Sequence, residues 1–152
     1  MTTMKDRLRT ELTASMKARD ALRSSTLRMV LSAVTNAEVA GKQARVLSDD
    51  DVVGVLATEG KKRREAATAF DDASRPELAA KERAEASIIA EFLPQQLADD
   101  EIVALVTATI DELGVRADGM RAMGKVMGAL TPQTKGRADG GVVSAEVRRQ
   151  LG

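Results

Sequence analysis

The chain has 152 residues, 43% of them hydrophobic, with Phe70 and Phe92 as its only aromatic residues and neither Cys nor His. Lack of Cys excludes disulfides, thiolate metal sites and thiol nucleophiles, and lack of His removes the commonest general base and metal ligand. Lys and Arg (23) balance Asp and Glu (23) to a formal charge of zero, which argues against a general nucleic-acid coat protein.

The core has to be built from Leu, Val, Ile, Ala and Met. Helix formers dominate and long β-branched alternations are missing, so the pattern predicts an all-α fold. Leu8, Leu12 and Met16 recur every four residues, predicting a first helix over about 3–18. Leu22, Leu27, Val30, Leu31 and Val34 predict a second to about Ala40, with Gly41 as its stop. Ser48 is placed to cap a third, with Asp49, Asp50 and Asp51 in the first turn, running to about Asp72. Ser74 is placed to cap a fourth, with Pro76 near its start, Leu78, Ile88, Ile89, Phe92 and Leu93 on its apolar face and Pro94 at its end. The stretch LPQQLADDE then reads as a boundary between an N-terminal helical domain (1–97) and a C-terminal helical module (98–152). In the module, Asp99 or Asp100 caps a fifth helix with core residues Ile102, Val103, Leu105, Val106, Ile110 and Leu113, stopped by Gly114. A sixth is expected from about Gly119 to Leu130, and a seventh after Asp139 through Val143, Val147 and Leu151. The expectation is therefore a bundle of about four helices followed by three shorter ones.

The N-terminus has no apolar signal-like core and no stretch approaches a membrane span, so a cytoplasmic location is expected. No cofactor, metal or membrane partner is expected, and a monomer is favoured. Paired carboxylates such as Asp99–Asp100 fit helix starts better than acid–base chemistry. Ser24 and Ser25, with no His to activate them, read as surface residues rather than nucleophiles. The run Lys61-Lys62-Arg63-Arg64 fans around a helix and reads as a solvated face with Glu59 and Glu65 as partners. No catalytic residue is assigned.

The average charge hides a local asymmetry. Residues 99–118 carry six acidic and one basic side chain, whereas Arg121, Lys125, Lys135 and Arg137 follow with no acidic residue among them. The segment Gly119-MRAM-Gly124-Lys125 matches most of a phosphate-binding P-loop, but Val126 stands where a hydroxyl must hold magnesium and no strand precedes it. At about 100° per residue, Met120, Met123, Val126, Met127 and Leu130 share one arc of the sixth helix, and Arg121, Gly124, Lys125 and Gly128 share the opposite one. Each glycine weakens a helix by about 1 kcal/mol relative to alanine. A phosphate-bearing ligand explains both the bare backbone and the cations, with Lys135 and Arg137 extending the surface. A packed helix explains the glycines alone. Spacing leaves both readings standing.

The segments STLRMVLSAVTNAE, FLPQQL and MGKVMGALTPQTKGRADGGVVSAEVRRQL resemble the GatB/YqeY family over essentially the whole chain, and most closely its stand-alone YqeY-like members. The part from about 98 to 152 also resembles the tail domain of the B subunit of the glutamyl/aspartyl-tRNA amidotransferase. The resemblance implies an all-helical bundle with a small C-terminal module, and a tail that helps grip tRNA while other domains do chemistry. It makes Gly124, Lys125, Lys135, Gly136 and Arg137 candidates for tRNA contact. The family label, carbon–nitrogen ligase with glutamine as amido-N-donor, is set against a chain of 152 residues that leaves no room for an ATP-using carboxylate-activating domain or the partner amidase. A tRNA-binding accessory without activity of its own is therefore expected. The alternatives are an adaptor for an amidotransferase or synthetase, and the ligase itself.

Overall fold

A computed structural model describes residues 2–152. The described residues form helices and loops, with no strand. They fall into two compact units, one up to Leu93 and the other Pro94–Gly152.

The first unit holds α1 (Met4–Lys17), α2 (Ala21–Glu38), α3 (Asp49–Asp72) and α4 (Pro76–Ala90). The α1 start is closed by Thr3 and Asp6 and the α3 start by Ser48 and Asp51, each hydroxyl accepting an amide three residues on while that residue's carboxylate accepts the cap's own amide. Leu8, Leu27, Val30, Val34, Val52, Leu56, Ile89 and Phe92 make the core. The α3–α4 pair packs through small residues, since Ala67, Ala79 and Gly60 are buried.

Several local expectations are corrected here. α2 ends at Glu38, where the Val39 amide donates to the Thr35 carbonyl, so Gly41 lies beyond the helix and does not stop it. Arg75, not Ser74, is the N-cap of α4, because Ser74 takes a left-handed turn (φ 59°) that points the chain into Pro76. Ser24 is buried and shares a 2.8 Å hydrogen bond with the equally buried Ser15, so this hydroxyl joins α1 to α2 rather than facing water. In the basic run, Lys62 and Arg63 both reach Glu59, at 3.3 and 3.4 Å, but Arg63 turns inward. Its guanidinium also lies 3.2 Å from Glu85 and 3.8 Å from Glu82, at 17% side-chain exposure.

The second unit holds α5 (Asp99–Leu113), a 3₁₀ segment (Arg116–Ala122), α6 (Met123–Thr134) and α7 (Gly140–Leu151). Ile102, Val106, Ile110, Val115, Ala122, Val126, Leu130, Val143, Val147 and Leu151 form its core. Leu97 packs against this second core. Ala98 is the N-cap of α5, because Asp99 and Asp100 already lie inside the helix, and Glu101 reaches back to the Ala98 amide at 3.0 Å. Gly114 ends α5 in the left-handed conformation (φ 65°). Val103 proves partly exposed, at 37%.

The expected helix from Gly119 starts later. Gly119 holds φ 60° and ψ −142°, a region essentially closed to residues with a Cβ, and it breaks the path before α6 begins at Met123. The break turns Met120 outward (47% exposed) and buries Ala122 instead. At the other end α6 continues past Leu130 to Thr134, with Pro132 inside it.

Candidate nucleic-acid interface

α6 buries Val126, Leu130 and Thr134 against the second unit's core, and that choice sets what its other side presents. Gly124, Lys125 and Gly128 are exposed, as is Arg121 immediately before the helix. A Cβ built on Gly124 or Gly128 meets nothing within 4 Å. Neither glycine is therefore required by packing inside its own unit, and no neighbouring helix of that unit covers either one.

Charge follows the same division. Arg116 pairs with Asp111 at 2.8 Å, and Arg149 pairs with Glu146 at 2.8 Å. The Arg149 guanidinium holds the Glu146 carboxyl below its usual value of 4.5. Arg121, Lys125 and Lys135 have no ion pair or side-chain hydrogen bond among the described residues. These three are cations without a counter-charge among the described residues.

Gly136 and Arg137 sit differently. Gly136 takes φ 74°, and its carbonyl accepts the Gln96 side-chain amide at 2.7 Å. Arg137 donates through Nε to the Gln95 carbonyl at 3.1 Å and through Nη1 to the Gln133 carbonyl at 3.4 Å, while its own carbonyl accepts the Leu97 amide at 2.8 Å. The seven residues singled out from the sequence thus separate into two groups. Arg121, Gly124, Lys125, Gly128 and Lys135 are exposed, and Gly136 and Arg137 shape a loop held by residues 95–97. In the sequence Gln95 and Gln96 read only as part of a boundary. Gln96 carries a signal, a side-chain amide close after a proline and able to donate to a loop carbonyl, whereas Gln95 acts through its main-chain carbonyl, which its residue type does not announce.

Among the described residues no group of three or more acidic side chains is placed to hold a metal ion. No helix among them is long and apolar enough to cross a membrane. Between α5 and α7 runs a groove of about 430 Å³, bordered by Asp99, Val103, Val142 and Arg149.

These features define an all-helical protein of two units, the second carrying exposed Arg121, Lys125 and Lys135. Residues 5–151 match the family described as Yqey-like protein, and the chain belongs to that family. It is also similar to a Schizosaccharomyces pombe protein printed as "Uncharacterized protein C22F3.15", 38% identical over 88 residues, which span 58% of this chain and 70% of that protein.

Proposed function

We propose that this protein is an RNA-binding accessory whose second unit grips tRNA, or another structured RNA, by its phosphates and its shape, without catalysing a reaction of its own. The observation that carries the reading is the pairing of bare helix and uncompensated charge: Gly124 and Gly128 stand open beside Lys125, one residue apart from the first and three from the second. Bare backbone lets a bulky partner approach closely, and cations without carboxylate partners favour an anionic one. Family membership adds to this, since the resembling amidotransferase tail helps grip tRNA. Such a protein works beside translation in the cytoplasm.

The test is retention of unfractionated tRNA by wild type and by the triple variant Arg121→Glu/Lys125→Glu/Lys135→Glu. Arg137 is left unchanged because it holds the Gln95 carbonyl. Retention is expected to disappear while helicity persists. A triple variant that retards tRNA as well as wild type overturns the reading. If all three cations contact phosphates, log affinity falls with log salt with a slope of about −2 to −3.

A second reading, docking onto an amidotransferase or synthetase, is favoured by the partly exposed Val103 (37%) and Val142 (48%) in the α5–α7 groove. Capture of that enzyme from cytosol after nuclease treatment supports this reading over the first.

A further inference from the structure

Pro132 lies four residues after Gly128, inside α6. In an α-helix the amide of residue i donates to the carbonyl of residue i−4, and proline has no amide hydrogen. The Gly128 carbonyl therefore loses the donor that its position in the helix would supply. Its neighbours in the chain are served by side chains as well. Thr131 Oγ1 donates to the Met127 carbonyl at 2.8 Å, Gln133 Nε2 to the Ala129 carbonyl at 3.1 Å, and Thr134 Oγ1 to the Leu130 carbonyl at 3.2 Å. No side-chain donor among the described residues goes to the Gly128 carbonyl. Gly128 and Pro132 are both exposed, and Lys125 stands one turn before Gly128.

This backbone acceptor wants a hydroxyl or amide donor from outside, delivered next to negative charge. RNA carries that combination along its backbone, because each ribose bears a 2′-hydroxyl beside its phosphate, and DNA lacks it. A base-stacked single strand is the poorer fit. Residues 94–152 contain no aromatic side chain, so this unit offers no stacking platform. A double-stranded RNA stem instead displays its 2′-hydroxyls across a wide, shallow minor groove.

We propose that the Gly128 carbonyl accepts a hydrogen bond from a ribose 2′-hydroxyl in the minor groove of a double-stranded RNA stem, with Arg121 and Lys125 on flanking phosphates. This deepens the RNA-binding reading above and rests on it. Pro132 then acts as a selectivity residue, because it supplies no amide hydrogen to that carbonyl.

The experiment compares a short RNA duplex with the same duplex carrying 2′-fluoro riboses, which keep the A-form and the charge but have no hydroxyl to donate. Binding is read by fluorescence anisotropy for wild type and Pro132→Ala, with helicity checked by circular dichroism. Alanine supplies the missing amide to Gly128 and favours the helix. Wild type is expected to prefer the RNA duplex by about three- to tenfold, the effect of one hydrogen bond. Pro132→Ala is expected to bind the RNA and 2′-fluoro duplexes equally, losing the preference. Equal binding of both duplexes by wild type, or a preference that survives in Pro132→Ala, overturns the inference while tRNA retention leaves the broader reading intact. Failure to retain tRNA or either duplex overturns both.

Discussion

Arg137 Nε donates to the Gln95 carbonyl at 3.1 Å, joining residues 42 apart in the chain. Two further bonds complete the clasp: Gln96 Nε2 to the Gly136 carbonyl at 2.7 Å, and the Leu97 amide to the Arg137 carbonyl at 2.8 Å. Two of the family-like stretches, FLPQQL and KGRAD, thus bind each other. The arginine that reads as a phosphate contact in the sequence gives two of its five N–H donors to backbone carbonyls.

Arg137→Ala is expected to loosen this clasp. The second unit should lose about 1 kcal/mol, and the Leu97 amide should exchange its hydrogen faster. Denaturant unfolding and hydrogen exchange check both. An unchanged Leu97 exchange rate contradicts the assignment of Arg137 as a structural residue.

Gly128→Ala is expected to stabilise the protein by about 1 kcal/mol, because the position is helical and a Cβ there meets nothing. Gly124→Ala, in the first turn of α6, adds less. The same double variant should bind tRNA more weakly than wild type, since two methyl groups then stand between backbone and ligand. Stability and retention moving in opposite directions separate a binding face from a packing face.

Arg63 pairs with a partly buried cluster of Glu59, Glu82 and Glu85, and it also donates to Met29 Sδ. One Glu82 carboxylate oxygen is buried without a hydrogen-bond partner. Arg63→Met leaves these carboxylates without their central cation and is expected to destabilise the first unit by about 3 kcal/mol. Adding Glu82→Gln removes one of the stranded charges and should recover part of the loss in denaturant unfolding.

Acid should weaken the first unit through three carboxylates. The Lys5 ammonium, 2.5 Å from Glu38, and then the Leu47 amide hold the Glu38 carboxyl below its usual 4.5. Thr3 does the same for Asp6 and Ser48 for Asp51, each below 3.8. Because these values are lower in the folded than in the unfolded chain, their contribution is full well above pH 4.5. It is lost as pH falls through 4.5 and 3.8 toward the folded values. Denaturation across that range should show a smaller acid loss for Glu38→Gln than for wild type.

The existence of the helices was legible because helical signals are local. Leu8, Val30 and Val126 lie on apolar stripes readable from spacing alone, and Ser48 and Gly114 act as the punctuation their residue types suggest. Boundaries slipped where a non-local demand intervened. Gly119 is followed by helix formers, yet its backbone follows a course that brings it beside the Leu151 carbonyl, 3.7 Å from where its Cβ would stand. The acidic first turn of α5 suggests a cap at Asp99 or Asp100, whereas Glu101 closes it from inside the helix.

What the sequence by itself determined is the all-helical character, the order of the helices and the side of α6 that carries Gly124, Lys125 and Gly128, because periodicity and capping act over one or two turns. Only the tertiary structure decided which charged side chains find partners. Arg63 turns inward to three carboxylates, Arg137 donates to a backbone carbonyl 42 residues away, and Lys125 has no side-chain partner among the described residues. The reason is physical: a side chain's counter-charge and its cover come from residues distant in the chain, and folding alone brings them near.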